Sequence, residues 1–371
     1  MCILSINSYF MKKITPVVII AIISLGSLFI LIRMNESYNK NEEILFLSSI
    51  EGNPNMDFEY TYTNYSIRKA YPKDLNVTRK LLTETVGAKN VVNGVIKQPS
   101  IYVKPFGRLG NSIVQVSNAI YLAEIMNVST IYMQKNFCFI KNNITTSKGI
   151  KIIPTVGIPK ESLSMYQSLF MLSASGHCPE NRVYEFASET LKGIPHVNTS
   201  DDGLYIHVRS GDIFTKNPCE WYGQPPMCFY ESIIEKWGFK KIYVITEDRK
   251  NPVINALIEK YNATLVITDL LQTIGLILSA KNLAMSFGTF VPSLLKLLPD
   301  DTEKNIFRYG NEFNYLTDIW KKFYFTEQSE FYKNTIMGSN WNNTKEQREI
   351  MMNETCGDVW KVSMYTKYVY D

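Results

Sequence analysis

From Ser100 onward the chain alternates short runs of β-branched and aliphatic residues with longer amphipathic stretches, the rhythm of α/β units. Ile101–Lys104, Thr130–Gln134 and Lys151–Val156 read as strands. Ile113–Met126 reads as a helix, because Val116, Ile120, Ala123 and Met126 recur near helical spacing. After the turn-like segment Asn198–Gly203 a second series begins. It predicts strands at Leu204–Val208, Lys241–Thr246, Thr264–Thr268 and Leu283–Phe287. Helices are expected at Phe229–Trp237, Pro252–Tyr261, Leu270–Ala280 and Val291–Leu298. Strands and helices alternating at this spacing build parallel sheets covered on both faces. The expected fold is α/β, with two Rossmann-type halves over 99–200 and 201–310 and a helical packing segment over 311–371.

The N-terminal pattern is different. Nineteen residues, Ile14–Ile32, carry no charge, a length that spans a hydrocarbon core of about 30 Å as a helix. Lys12 and Lys13 precede the run, and Glu36, Glu42 and Glu43 follow it. This bias favours a cytosolic tail over 1–13, a single-pass transmembrane signal anchor over 14–32 and a lumenal stem over 33–98, with a helix around Asn76–Val86. A cleaved signal peptide is the alternative, although its apolar region is shorter and ends in small residues. Asn-x-Ser/Thr sequons at Asn35, Asn64, Asn76, Asn127, Asn143, Asn198, Asn262, Asn342 and Asn353 suit a lumenal body.

Composition narrows the class. A net charge of +4 with scattered basic residues gives no reason to expect nucleic acid as a partner. Cys138, Cys178, Cys219, Cys228 and Cys356 match no zinc spacing, so some are expected to pair in an oxidising lumen, Cys219–Cys228 being one choice. Three His residues without paired spacing also argue against zinc, and no Asp-x-Asp occurs to hold a divalent metal on a sugar diphosphate.

Three junctions carry candidate chemistry. In Tyr205-Ile-His-Val-Arg-Ser-Gly-Asp212 a strand ends in a cation, a glycine turn and a carboxylate. Arg209 would point into the crevice beyond the strand ends, where a guanidinium fork can grip phosphate oxygens. An Arg–Asp pair closing a loop accounts for the same spacing as well. Phe106-Gly-Arg-Leu-Gly-Asn-Ser112 joins a strand to a helix, and its Gly107 and Gly110 permit close backbone approach; a plain turn would need them too. Ala284-Met-Ser-Phe-Gly-Thr-Phe290 offers hydroxyls at another strand–helix junction, either for phosphate or as a cap.

Taken together, Gly107-Arg-Leu-Gly-Asn111, His207-Val-Arg-Ser-Gly-Asp212 and Ser286-Phe-Gly-Thr-Phe290 resemble the GDP-fucose-dependent fucosyltransferases, a superfamily that includes alpha-1,2-fucosyltransferases and protein O-fucosyltransferases. The resemblance covers roughly residues 100–310. It implies a GT-B-like fold, with an acceptor-side first domain and a nucleotide-sugar-binding second domain facing it. It also implies inverting, metal-independent transfer of fucose from GDP-fucose to a glycan or glycoprotein, with no cofactor, at a Golgi or ER membrane. Arg209 would be the diphosphate contact, with Gly107, Arg108, Gly110, Asn111, His207, Ser286 and Thr289 lining the donor site and Asp248 holding the nucleoside. Two positions depart from many members: Ser210 replaces a second basic residue, and Gly288 a second hydroxyl.

The loop Lys216–Tyr230 follows directly. Trp221 and Tyr222 could stack on a sugar, and Glu220 could accept the acceptor hydroxyl's proton, with Asp212 as the rival base. Two other readings stay open. One is a transferase of the same fold using GDP-mannose or a UDP-sugar; the other is a non-catalytic, membrane-anchored glycan-binding protein.

Overall fold

The computed structural model describes residues 17–24, 27–34, 45–48, 83, 86, 90–93, 95–174, 182–299, 302–310, 322–338 and 340–362. The chain divides into two compact units, Met1–Phe58 and Glu59–Asp371. In the first unit, β1 (Val17–Ser24), β2 (Ser27–Met34) and β3 (Leu45–Ser48) form an antiparallel sheet. The expected membrane helix over 14–32 is therefore found as paired strands over most of its length. Its Ile- and Val-rich composition is the reason, since β-branched side chains favour extended backbone. No helix among the described residues is long and apolar enough to cross a membrane. The tail 1–13 and nearly all of the Asn76–Val86 helix lie outside the described residues.

The second unit holds two main sheets. After the small hairpin β4 (Val91–Val92) and β5 (Val95–Ile96) come β6 (Ser100–Val103), α1 (Leu109–Ile125), β7 (Thr130–Gln134), β8 (Ile144–Thr145), β9 (Lys151–Thr155) and β10 (Ser162–Met165). Their strand order is β10-β6-β7-β9-β8, parallel except for β8. From β6 the chain builds outward through β7 and β9, then returns to place β10 on the other side of β6. The strand order reverses between β6 and β10. Helices α2 (Gln167–Ala174) and α3 (Tyr184–Leu191) complete this half.

The second half runs β11 (Gly203–His207), α4 (Met227–Trp237), β12 (Lys241–Ile245), α5 (Pro252–Tyr261), β13 (Thr264–Val266), α6 (Leu270–Ser279), β14 (Asn282–Met285), α7 (Phe290–Leu295) and β15 (Asn305–Tyr309). The segment beyond Asn311, expected to be helical packing, supplies strands as well: β16 (Lys322–Thr326) and β17 (Val359–Val362) flank α8 (Lys345–Asn353). The sheet order is β13-β12-β11-β14-β15-β16-β17, parallel except for β17. This is a doubly wound arrangement whose order reverses between β11 and β14, the point where such sheets open a ligand crevice.

Local chemistry explains the boundaries. Asn251 caps α5 by accepting from Val253 N, with Pro252 at the first helical position, and Asn262 ends the helix at φ 52°. Asp269 caps α6 by accepting from Gln272 N. Gly238 closes α4 at φ 65°.

The two halves share a core. Apolar side chains of β6, α1, β7 and β9 form one buried cluster with Ile274 and Ile277 of α6 and with Val291, Leu294 and Leu295 of α7. A second cluster fills the other face of the second sheet, from Leu204 and Ile206 through Tyr332 and Trp341. Cys228 on α4 is bonded to Cys356 beyond α8, with Cα atoms 5.5 Å apart. This corrects the expected Cys219–Cys228 pairing: Cys219 is a free, exposed thiol, and Cys138 is free and buried.

Candidate active site

Arg209 leaves the carboxyl end of β11 at the reversal point, with 17% of its side chain exposed. Tyr222 lies under its guanidinium, 3.9 Å from ring centroid to Cζ. Its Nη2 reaches the Asp212 carboxylate at 3.4 and 3.5 Å, a loose pair that among the described residues leaves most of the fork unused. Gly288, at φ 133°, comes so close that a Cβ there would lie 2.8 Å from Arg209 Nη1. Gly288 thus makes room for the arginine.

Ser210 anchors the turn. Its fully buried hydroxyl donates to Asp248 Oδ1 and accepts from Asn251 N at 3.1 Å. The Asn251 side chain donates to Arg209 O at 3.0 Å. Asp248 also accepts from Gly211 N at 3.3 Å and Lys250 N at 3.0 Å, and pairs with Lys250 Nζ at 3.1 Å. Burial works against the charge on Asp248, but the Ser210 hydroxyl and these donors outweigh it and hold its carboxyl at about 2. Asp248 is thus an ionised clamp on the Arg209 turn, and the oxygen expected to hold a nucleoside is already committed to that turn.

His207 Nδ1 and Ser286 Oγ lie 2.7 Å apart, bridging the ends of β11 and β14 across the reversal point. Desolvation, and then the charge of Arg209, lower His207 to about 4, so the imidazole is neutral at neutral pH.

The glycine loop meets this cluster from the first half. Arg108, largely exposed, pairs with Glu247 at 3.2 Å and with Asp212 at 3.5 Å. Glu247 follows β12 and Asp212 follows β11, so the carboxyl ends of β6, β11 and β12 converge here. Gly110 is packed against backbone: a Cβ would lie 2.6 Å from Thr289 C and O. Thr289 Oγ1 donates to Asn111 Oδ1 at 2.5 Å, and Ser293 Oγ donates to Gly110 O at 3.0 Å. Asn111 and Thr289 are brought together, but with each other, at the seam of α1 and α7. Gly107 turns at φ 74°, with the Asn111 amide where its Cβ would be.

Glu220 is exposed, and among the described residues its carboxylate has no hydrogen-bond partner; its main-chain oxygen accepts from Trp341 N at 3.1 Å. Sequence reasoning overlooks Glu247, which has no motif, and Gln224. The fully buried Gln224 side chain donates to Tyr222 O and Gly223 O, each at 3.0 Å, and accepts from Phe287 N at 3.2 Å, which fixes the ring beneath Arg209. Among the described residues no group of three or more His, Cys, Asp or Glu side chains comes together as a metal site.

No protein family and no curated protein matches the chain. Among solved structures, E. coli heptosyltransferase WaaC with ADP-2-deoxy-2-fluoro heptose is similar over 57% of this chain and 89% of that one, at 10% identity and a TM-score of 0.32. The E. coli WaaC structure with ADP is similar over 65% of this chain and 68% of that one, at 13% identity and a TM-score of 0.27.

Proposed function

We propose that the chain is a GT-B-like inverting glycosyltransferase that moves fucose from GDP-fucose to a glycan or glycoprotein without a metal. What carries the reading is Arg209 at the strand-order reversal of a doubly wound sheet, stacked on Tyr222 and only loosely paired. Such a fork suits a diphosphate, and its charge offsets that of the leaving group. An entering diphosphate would take Arg209 and Arg108 from Asp212 and Glu247. The acceptor oxygen then attacks the anomeric carbon opposite the diphosphate, the carbon–phosphate-oxygen bond breaks, and GDP departs. The hydroxyl proton passes to a carboxylate. Asp212, which an entering diphosphate would release from Arg209 and Arg108, and the exposed Glu220 on the Tyr222 loop are the two candidates for this role.

The same reading places the catalytic body in the Golgi or ER lumen behind the apolar segment 14–32. In a bilayer the open edges of a β1–β2 hairpin would go unpaired, so there the segment would have to be helical.

Thermal melts with GDP, UDP and ADP, and with GDP-fucose, test the donor. A nucleotide at about 100 times its Kd stabilises by about 2.7 kcal/mol, so GDP and GDP-fucose should each raise Tm by several degrees and UDP and ADP should not. A shift with UDP alone would move the reading to a UDP-sugar. Arg209→Ala and Arg209→Lys should each cut transfer by about 10²–10³-fold while leaving the apo melt near wild type. Undiminished transfer would remove the mechanism.

A further inference from the structure

The first sheet has a reversal point of its own, between β6 and β10; Tyr166 directly follows β10, and Phe106 lies three residues past the end of β6. Phe106, after β6, packs edge-on against Tyr166, after β10, with ring centroids 5.2 Å apart, and against Phe170 of α2 at 5.5 Å. Tyr166 is 45% exposed, a large aromatic side chain to leave open at a strand end. The cluster is held rigidly. Fully buried Gln115 accepts from Phe106 N at 2.9 Å and donates to Lys104 O and Tyr166 O, each at 3.0 Å, so one side chain fixes both strand ends. The Lys104 ammonium lies over the Tyr166 ring, 5.3 Å from its centroid, a hydrogen-bond donor within the aromatic cluster.

Position supplies the occupant. Phe106 is two residues from Arg108, which reaches across to Asp212 and Glu247. In the second half Trp221, 64% exposed, precedes Tyr222, which lies under Arg209. Aromatic residues of both halves thus neighbour the two cations along the chain, half-buried Phe106 near Arg108 and exposed Trp221 beside the Tyr222 that stacks on Arg209. A half-exposed tyrosine ring with a cationic donor against it suits a pyranose, which has an apolar C–H face and a polar edge.

We infer that the β6–β10 crevice is a saccharide subsite, in which Tyr166 and Phe106 take the C–H face of a neutral hexopyranoside and Lys104 its hydroxyls. This rests on the proposed function in one respect: it assigns that sugar as the acceptor.

Saturation-transfer NMR with methyl β-galactoside, methyl α-mannoside and methyl N-acetyl-β-glucosaminide as probes tests it on the intact chain. At least one probe should receive saturation on its C–H face. Tyr166→Ala should weaken that binding by about five- to tenfold, whereas Tyr166→Phe, which keeps the ring, should retain it. Melts of each variant with and without GDP, run on the same samples, report folding and the nucleotide site separately. If GDP stabilises the chain but no probe binds, or Tyr166→Ala binds a probe as well as wild type does, the subsite is overturned. If no nucleotide binds while Tyr166→Ala still abolishes a probe signal, the subsite stands and the transferase reading fails.

Discussion

At His207 a ring at a strand end is kept neutral by two effects in the same direction, desolvation and the neighbouring Arg209 charge. Its folded value of about 4 lies below the ordinary 6.5, so the unfolded chain takes up the proton first. The stability that neutral His207 contributes is complete above pH 6.5, is lost as pH falls toward about 4, and changes no further below that. The loss is on the order of 3 kcal/mol for a shift of this size. The chain has three histidines, so their ring-proton resonances can be resolved and assigned with a His207→Gln variant. His207 should titrate near 4, and Arg209→Ala should move the midpoint upward. A midpoint near 6.5 would mean that the ring is solvated and screened from Arg209. At the same scale, Arg209 was legible because a cation, a glycine and a carboxylate follow a strand in fixed order. Asp248 was legible as a residue near this cluster, but not as the carboxylate that holds the Arg209 turn. Whether a carboxylate faces a ligand or a serine hydroxyl depends on a residue 38 positions away.

Among the elements, α1 and α7 meet so closely that Gly110 has no space for a methyl group. Its Cβ would press on Thr289 backbone, which cannot rotate away as a side chain could. Gly110→Ala should therefore destabilise by about 1–3 kcal/mol in urea unfolding. Gly193→Ala, whose Cβ would meet open space, should stay within about 0.5 kcal/mol of wild type. Equal effects at the two positions would mean that the seam relaxes freely. The glycine loop shows where sequence reading stops: Gly-x-x-Gly before a helix suits phosphate approach and helix packing equally, and packing is what the Gly110 contacts display. Strands such as β12 were legible from β-branched runs, and α5 from Asn251, Pro252 and Asn262. The short β10 was not, because Ser162–Met165 alternates without a sustained apolar run. β16 and β17 were hidden by an aromatic-rich tail that fits strand and helix alike. The apolar run at 14–32 was misleading in the other direction, since its length suits a helix while its branched residues suit strands.

Across the whole molecule, the Cys228–Cys356 bond ties α4 to the segment leading into β17 over a separation of 128 residues. A link spanning so long a loop removes much of the unfolded chain's freedom, and losing a native one typically costs about 2–5 kcal/mol. Such a bond persists in an oxidising compartment and not in the cytosol. The glycosylation pattern bears on the same question. The asparagines of all six described sequons, Asn127, Asn143, Asn198, Asn262, Asn342 and Asn353, are exposed, although polar side chains so spread along a chain could have been buried. If the body folds in the lumen, the chain made in a secretory host should carry N-glycans. Treatment with peptide N-glycosidase should then sharpen and lower its gel band, and Asn→Gln changes should remove the steps one by one. Reductant, or a Cys228→Ser/Cys356→Ser pair, should lower the melting temperature of the same material, while Cys219→Ser should not. An unglycosylated chain whose melt ignores reductant would place the body on the cytosolic side. A lumenal acceptor could not then reach it, whatever Arg209 binds.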